Sequence, residues 1–191
     1  MARPREFDFD EALERAMRVF WAKGYDGASL DDLTSAMQIK RGSLYKAFAD
    51  KRALYRAALE RYDQRVVTKA TDNLRDPKGG SGRQRILALL NSVAASAENR
   101  ADPPGCFLCN ASVDQAPLDP DIAQAIDASM NRLERAFEIA LRDALPAQRA
   151  AESTARASRL TADYIGLRVL ARSGRSPRAL RAIVQDIVAS L

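Results

Sequence analysis

The chain has 191 residues, of which 47% are hydrophobic and 29% charged, with a net charge of +5 and no histidine. That length and composition describe a globular chain able to bury a core without disulfides or metal, and they exclude a disordered one. The lack of histidine removes the commonest general base and the commonest metal ligand together, so the sequence predicts no catalytic residues, no metal site and no cofactor. No apolar run reaches the roughly 20 residues of a transmembrane helix and the start, Met1 to Asp8, lacks a signal-peptide core, which predicts a cytoplasmic protein with no membrane partner.

Helical periodicity runs throughout and no stretch alternates apolar and polar residues long enough for a sheet, so the predicted fold class is all-α. A first helix from about Asp8 to Lys23 has acids in its first turn and Ala12, Leu13, Ala16, Met17 and Phe20 at spacings of three and four. Gly24 ends it. A short second helix follows from Ser29, whose hydroxyl suits an N-cap, with Leu30, Leu33 and Met37 as its buried stripe. A third begins at Arg41-Gly42-Ser43 and carries Leu44, Tyr45 and Phe48. A long helix capped by Asp50 extends to about Leu74, and Asp76 to Gly82 gathers the strongest turn formers in the chain. Further helices are predicted from about Arg83 to Asn99, Gly105 to Ala116, Asp119 to Ala144 with Pro120 at the first helical position, Ala147 to Arg172, and Ser176 to Leu191.

The second and third helices, joined by Gln38 to Gly42, have the lengths of a helix-turn-helix. Leu33, Met37, Ile39, Leu44 and Phe48 can form a small core with Leu13, Met17 and Phe20, which leaves Lys40, Arg41, Ser43, Tyr45 and Lys46 facing outward. Between Gln38 and Arg56 six basic residues, Lys40, Arg41, Lys46, Lys51, Arg52 and Arg56, stand against one acid, Asp50, so this stretch holds the whole net charge. A tight turn, a helix N-terminus and that basic excess suit the phosphates of double-stranded DNA. Arg3 and Arg5 precede this head as a short basic tail.

Phe7-Asp8 through Phe20, Lys23-Gly24-Tyr25, Ser29-Leu30 and Gly42-Ser43-Leu44-Tyr45-Lys46-Ala47-Phe48, with Lys51 and Leu54, resemble the N-terminal signature of TetR/AcrR-type regulators over roughly residues 7 to 60. Gly105-Cys106-Phe107-Leu108-Cys109-Asn110 resembles the start of the sixth helix in some members. The resemblance implies a DNA-binding head over residues 1–50 and a larger ligand-binding and dimerisation body over 51–191. It implies that Ser29 and Lys51 contact phosphates, that Arg41 and Ser43 approach base edges or phosphates, and that Tyr45 lies against the DNA backbone; Gly42 belongs to the same turn, and Lys40 and Lys46 join the set on charge and placement. Gln38 stands where this turn usually has glycine, and Lys40 where it often has Ser or Thr. The function implied is a ligand-responsive repressor that binds a palindromic operator as a homodimer and is released by a small-molecule inducer.

In the body, Leu180, Ile183, Val184, Ile187, Val188 and Leu191 form one stripe and Leu160, Tyr164, Leu167 and Leu170 another; they either close the subunit's own core or meet a second copy. Asn110, Asp114, Gln115, Tyr164 and Arg168 are polar residues within apolar helices and are candidates to face a cavity. Cys106 and Cys109, at i and i+3, share a helix face near a helix start, where a thiol's pKa falls. They are candidates for pocket lining or packing, or for a redox or electrophile sensor; metal sensing is disfavoured, because two thiolates leave a tetrahedral site incomplete. A helical enzyme has no catalytic spacing to support it, and a basic adaptor protein would use the charge without sequence preference.

Overall fold

The computed structural model describes residues 8–99, 105–146 and 151–191, and among them every regular element is helical. The α-helices are α1 (Phe9–Gly27), α2 (Leu30–Met37), α3 (Arg41–Ala47), α4 (Lys51–Tyr62), α5 (Lys69–Arg75), α6 (Gly82–Asn99), α7 (Phe107–Asp114), α8 (Pro120–Ala144), α9 (Ser153–Arg172) and α10 (Pro177–Ala189). A π-helical segment, Asp63–Thr68, joins α4 to α5 with helical backbone angles at both junctions, so these three pieces form one rod and the described residues hold nine. Arg3, Arg5, Pro103, Pro104 and Ala147 lie outside the described residues.

Local chemistry sets most of the helix starts. The side chains of Asp8, Ser29, Asp50, Asp119 and Ser176 each accept a backbone N–H of the helix they precede, a contact worth about 1 kcal/mol apiece. Pro120 and Pro177 occupy first helical positions, where no N–H is needed. Gly24, at φ 75, breaks α1 before its last short turn. The helix expected from Gly105 starts two residues later, because Gly105 is left-handed at φ 91 and Cys106 is an extended N-cap.

Two apolar clusters organise the molecule. The first joins Leu13, Met17 and Phe20 of α1 to Leu33, Met37, Leu44 and Phe48 of the helix-turn-helix, and continues through Leu54, Tyr55 and Tyr62 of α4 to Phe107 of α7 and Ile122 of α8. The core under the head thus passes into the body without a gap. The second cluster unites α5, α6, α8, α9 and α10. Leu180, Val184, Ile187 and Val188 close this core within the subunit, with Ile183 and Leu191 packed at its edge. α6 and α8 touch at backbone distance: a Cβ on Gly82 would stand 1.8 Å from the Ala140 carbonyl oxygen.

The outward faces of the last two helices mix small side chains with large polar ones, among them Arg178, Arg181 and Gln185 of α10. Ala155, Arg159, Ala162 and Val169 are exposed on α9, and nothing lies within 4 Å of where a Cβ on Gly166 would be. Ala182, Asp186 and Ala189 are exposed on α10.

Candidate DNA-binding face and interior polar site

The head presents its basic residues on a rigid base. Leu44 and Phe48 are buried, and Phe48 stacks on Phe9 with ring centroids 5.2 Å apart, so α3 is pinned from below. Lys40, Arg41, Gly42 and Lys46 are exposed, Ser43 is half-buried, and Tyr45 shows 46% of its surface, which marks its ring as an outer rather than a core side chain. Arg41 leans on the exposed Asp31 at 3.1 Å, a surface pair weak enough to exchange for a phosphate. Lys51 opens α4 with its ammonium 4.5 Å from the Tyr25 ring centroid, which aligns it with the same end of the head. Ser29 is exposed, but its hydroxyl is engaged in a capping box: it accepts from the Asp32 N–H at 3.0 Å and donates to the Asp32 carboxylate at 2.8 Å. Lys23 and these Ser29 bonds hold the Asp32 carboxyl down at about 2, so α1 and α2 are tied by a charge that persists across the working pH range.

Gln38 sits in the turn at φ 56, ψ 40, the left-handed conformation that glycine adopts freely and other residues resist. Its N–H still closes α2 by bonding the Ser35 and Thr34 carbonyls.

The second polar assembly is interior. Arg168 of α9 donates to the Gly105 carbonyl at 3.1 Å, to the Tyr164 hydroxyl at 2.9 Å and to the Tyr62 hydroxyl at 3.0 Å. Tyr62 in turn donates to Cys106 Sγ at 3.5 Å. Burial holds both phenols above their usual range, so they are neutral partners of a guanidinium that has no carboxylate beside it among the described residues. Tyr62 links Arg168 to the Cys106 thiol. A hydrogen bond from Cys109, the charge of Arg168 and the Tyr62 hydroxyl pull Cys106 below the ordinary thiol range against the opposing effect of burial; Cys109 is driven the other way by the same bond and by its own burial. Cys106 is the N-cap of α7 and Cys109 stands in its first turn. Among the described residues no three Cys, Asp or Glu side chains gather as a metal site would require.

The polar residues expected in a cavity separate into two sets. Tyr164 and Arg168 line a cavity of about 390 Å³ between α1, the π segment, α5, α6 and α9, and Cys106 lines a smaller void of about 20 Å³ behind them. Asn110 and Asp114 instead face the head. Asn110 donates to the Trp21 carbonyl at 3.4 Å, and Asp114 packs beside Gly24, where burial raises its carboxyl. Arg172 joins them, donating to the Trp21 and Ala22 carbonyls at 3.2 and 3.3 Å. These bonds satisfy carbonyls at the end of α1 that Gly24 leaves without helical partners. On the other side of the head, Arg52 pairs with Asp119 at 2.6 Å and Arg56 with Asp121 at 3.0 Å, so the start of α4 is bound to the start of α8.

Several of these side chains are absent from the sequence-derived set. Arg172 repeats Arg168 one turn on, an i, i+4 pair of cations in the largely apolar last part of α9, and that spacing is a signal. Tyr62 repeats Tyr55 two turns on, along the buried stripe of α4. Trp21 carries no local sign of its position at a cavity.

A model of the N-terminal domain of "Bacterial regulatory proteins, tetR family" matches residues 12–58, and one of a "Tetracyclin repressor-like, C-terminal domain" matches residues 82–187. The chain belongs to the TetR family. It is accordingly a helix-turn-helix transcriptional regulator and not an enzyme. An HTH-type regulator of Bacillus subtilis, YezE, is 32% identical over 72% of this chain and 70% of its own length. The Escherichia coli repressor ComR is 33% identical over 71% of this chain, which spans 64% of ComR. Among solved structures, a cysteine mutant of the TetR family regulator CifR complexed with 26-bp operator DNA superposes with a TM-score of 0.86 at 33% identity, covering 98% of this chain and 99% of that one. The reduced form of Escherichia coli NemR shares the fold at a TM-score of 0.77 and 22% identity, covering 93% of each chain. Among the described residues no helix of this TetR-family chain is long and apolar enough to cross a membrane.

Proposed function

We propose that this TetR-family chain is a cytoplasmic repressor that binds a palindromic operator as a homodimer, with residues 1–50 as the DNA-binding head and 51–191 as the body, and that a small-molecule inducer releases it. The observation that carries the proposal is the exposed end of α3, where Lys40, Arg41, Gly42, Ser43, Tyr45 and Lys46 project from a buried base beside Lys51. In this reading Arg41 and Ser43 approach base edges or nearby phosphates, Ser29, Lys40, Lys46 and Lys51 contact phosphates, and Tyr45 lies against the sugar-phosphate backbone. The operator-bound CifR structure supports the same docking here.

One short recognition helix buries little DNA, which favours two heads per complex. The exposed Ala155, Ala162 and Val169 of α9 and Ala182 and Ala189 of α10 support a four-helix seam between two copies, since small side chains let helices approach closely. Release requires an inducer that binds the DNA-incompetent arrangement of the heads more tightly than the competent one. The cavity supports this role, because Trp21 of α1 and Arg168 of α9 both line it. Light scattering of wild type and Ala162→Glu is the test. Wild type should run as a dimer and bind a palindrome; Ala162→Glu should be a helical monomer with operator affinity at least about ten-fold weaker, because a charge would enter the seam. A wild-type monomer that binds the palindrome tightly contradicts the proposal.

The Cys106–Cys109 pair favours a second reading, a thiol trigger on the same scaffold. Diamide would take two electrons and one proton from the Cys106 thiolate and Cys109 thiol as the S–S bond forms, with a second proton from solvent completing its reduction to the hydrazine, and the negative charge beside Arg168 is removed. Oxidant should then release operator DNA from wild type and not from the Cys106→Ser/Cys109→Ser double mutant. Equal release from both removes the thiol trigger and leaves the inducer cavity standing.

A further inference from the structure

The basic residues around the DNA-binding face are held in two different ways. Arg41, Arg52 and Arg56 each rest against a carboxylate, that of Asp31, Asp119 and Asp121 in turn. Lys51 does not. Among the described residues no carboxylate reaches its ammonium at ion-pair distance, and what it meets is the Tyr25 ring, 4.5 Å away at the centroid. A carboxylate cancels the charge that it positions and must be displaced before a phosphate can take its place. The face of an aromatic ring attracts a cation through its quadrupole and leaves the full charge in place for a phosphate.

The ring itself is firmly seated. Gly24, at φ 75 and ψ 178, breaks α1, and Tyr25 follows with its ring stacked on Phe20, the centroids 6.3 Å apart and the planes 12° from parallel. Tyr55 meets the same ring at 5.0 Å with the planes 75° apart. Phe20 and Tyr55 are both 0% exposed, so two core side chains fix the position of a half-buried one. Tyr55 stands four residues after Lys51 on α4, which puts both on the helix face that Tyr25 packs against. The backbone of Lys51 is fixed as well, because Asp50 accepts the Ala53 N–H at 2.7 Å and closes the first turn of α4. What is left to order is the lysine side chain, a long stem with high rotamer entropy, and the ring supplies the restraint.

We propose that Tyr25 is a positioning residue for DNA binding: its ring holds the Lys51 ammonium in the rotamer that meets a phosphate, so that the head presents this cation already placed. The inference rests on the reading of Lys51 as a phosphate contact. A side chain that occupies its binding rotamer only part of the time weakens affinity by that fraction, and the ring raises the fraction. The ring face acts here, not the hydroxyl. A Tyr25 that served packing alone would affect DNA binding whether or not Lys51 were present.

A phosphate contact carries no sequence information, so a mixed-sequence DNA duplex is the probe, titrated with the intact protein at low salt and read by fluorescence anisotropy. 4-Cyanophenylalanine in place of Tyr25 keeps an aromatic ring in its seat and weakens its attraction for a cation. It should lower affinity about three-fold, as should Tyr25→Leu, whereas Tyr25→Phe should bind within about 1.5-fold of wild type. In a Lys51→Ala background none of the three changes should weaken binding further. A loss that persists in that background, or a Tyr25→Phe loss equal to that of Tyr25→Leu, overturns the proposal. Two outcomes separate it from the reading it rests on. If Lys51→Ala weakens binding and the cyano ring leaves it unchanged, the positioning role of Tyr25 falls and the phosphate contact stands; if Lys51→Ala binds as wild type does, both fall.

Discussion

The helix-turn-helix head and the body achieve order by different means. In the head, short range dominates: Asp8, Ser29 and Asp50 cap their own helices, and the outward residues of α3 follow from the inward ones by helical spacing. In the body, the polar site is assembled from positions far apart in sequence. Arg168 meets Tyr62 across 106 residues and Gly105 across 63. A surface built by local rules tolerates substitution of its outward side chains, whereas a site whose members satisfy one another's buried hydrogen bonds does not. The two regions should therefore respond to mutation in opposite ways, the body in stability and the head in affinity.

The largest effect is expected at Arg168. Arg168→Met leaves the Tyr62 and Tyr164 hydroxyls and the Gly105 carbonyl without their donor, and should cost about 3 kcal/mol, read as a fall of about 6–12 °C in Tm. It should also return the Cys106 thiol toward its ordinary range, seen as a shift in the pH profile of iodoacetamide labelling. Because Cys106 is held low when folded, its contribution to stability is fully present above the ordinary thiol range and fades as pH falls toward the lowered folded value. Wild type should accordingly lose part of its margin over Arg168→Met on acidification through that window. A pH-independent difference between the two would remove Cys106 as the partner of Arg168.

Gly82→Ala comes next, at about 2–3 kcal/mol in chemical denaturation, because its Cβ would collide with the Ala140 carbonyl and force α6 from α8. In the head, Lys51→Ala and Arg41→Ala should leave Tm unchanged within about 1 °C and weaken DNA binding by roughly ten-fold each. Lys51→Ala should act uniformly across sequences and lessen the salt slope by about one, while Arg41→Ala should also alter base preference. Unaltered affinity in both mutants would remove the proposed docking face. The smallest effect belongs to Gln38→Gly, which relieves a left-handed backbone and should stabilise by about 0.5–1 kcal/mol after the entropy glycine loses on folding.

Legibility in the sequence follows the same division. The helix-turn-helix, the caps at Ser29, Asp50 and Asp119 and the full extent of α8 were readable, because a capping side chain and the helix it starts lie within one turn of each other. The π segment was not, because Asp63 to Thr68 has the same apolar spacing as the α-helix around it; its widened turn coincides with contacts to α8, where Asp63 accepts from Ser129 Oγ at 2.7 Å and from Arg132. Gly82 reads as part of a turn-forming stretch, yet it opens α6 against α8. Asn110 and Asp114, polar residues on an apolar helix, suggested a cavity; they meet the end of α1, since helical spacing fixes which face they share but not what that face touches. The α10 stripe could close its own core or a dimer, and only the packing of α6 against it decides for its own core.

The central claim is that the chain reads one two-fold-symmetric DNA site through paired heads, and selection of bound sequences from a random duplex pool tests it most directly. The account predicts a single palindromic consensus, bound at near-physiological salt at least about 10³-fold more tightly than random DNA. A pool that stays random, or a consensus bound no better than bulk DNA, would contradict it.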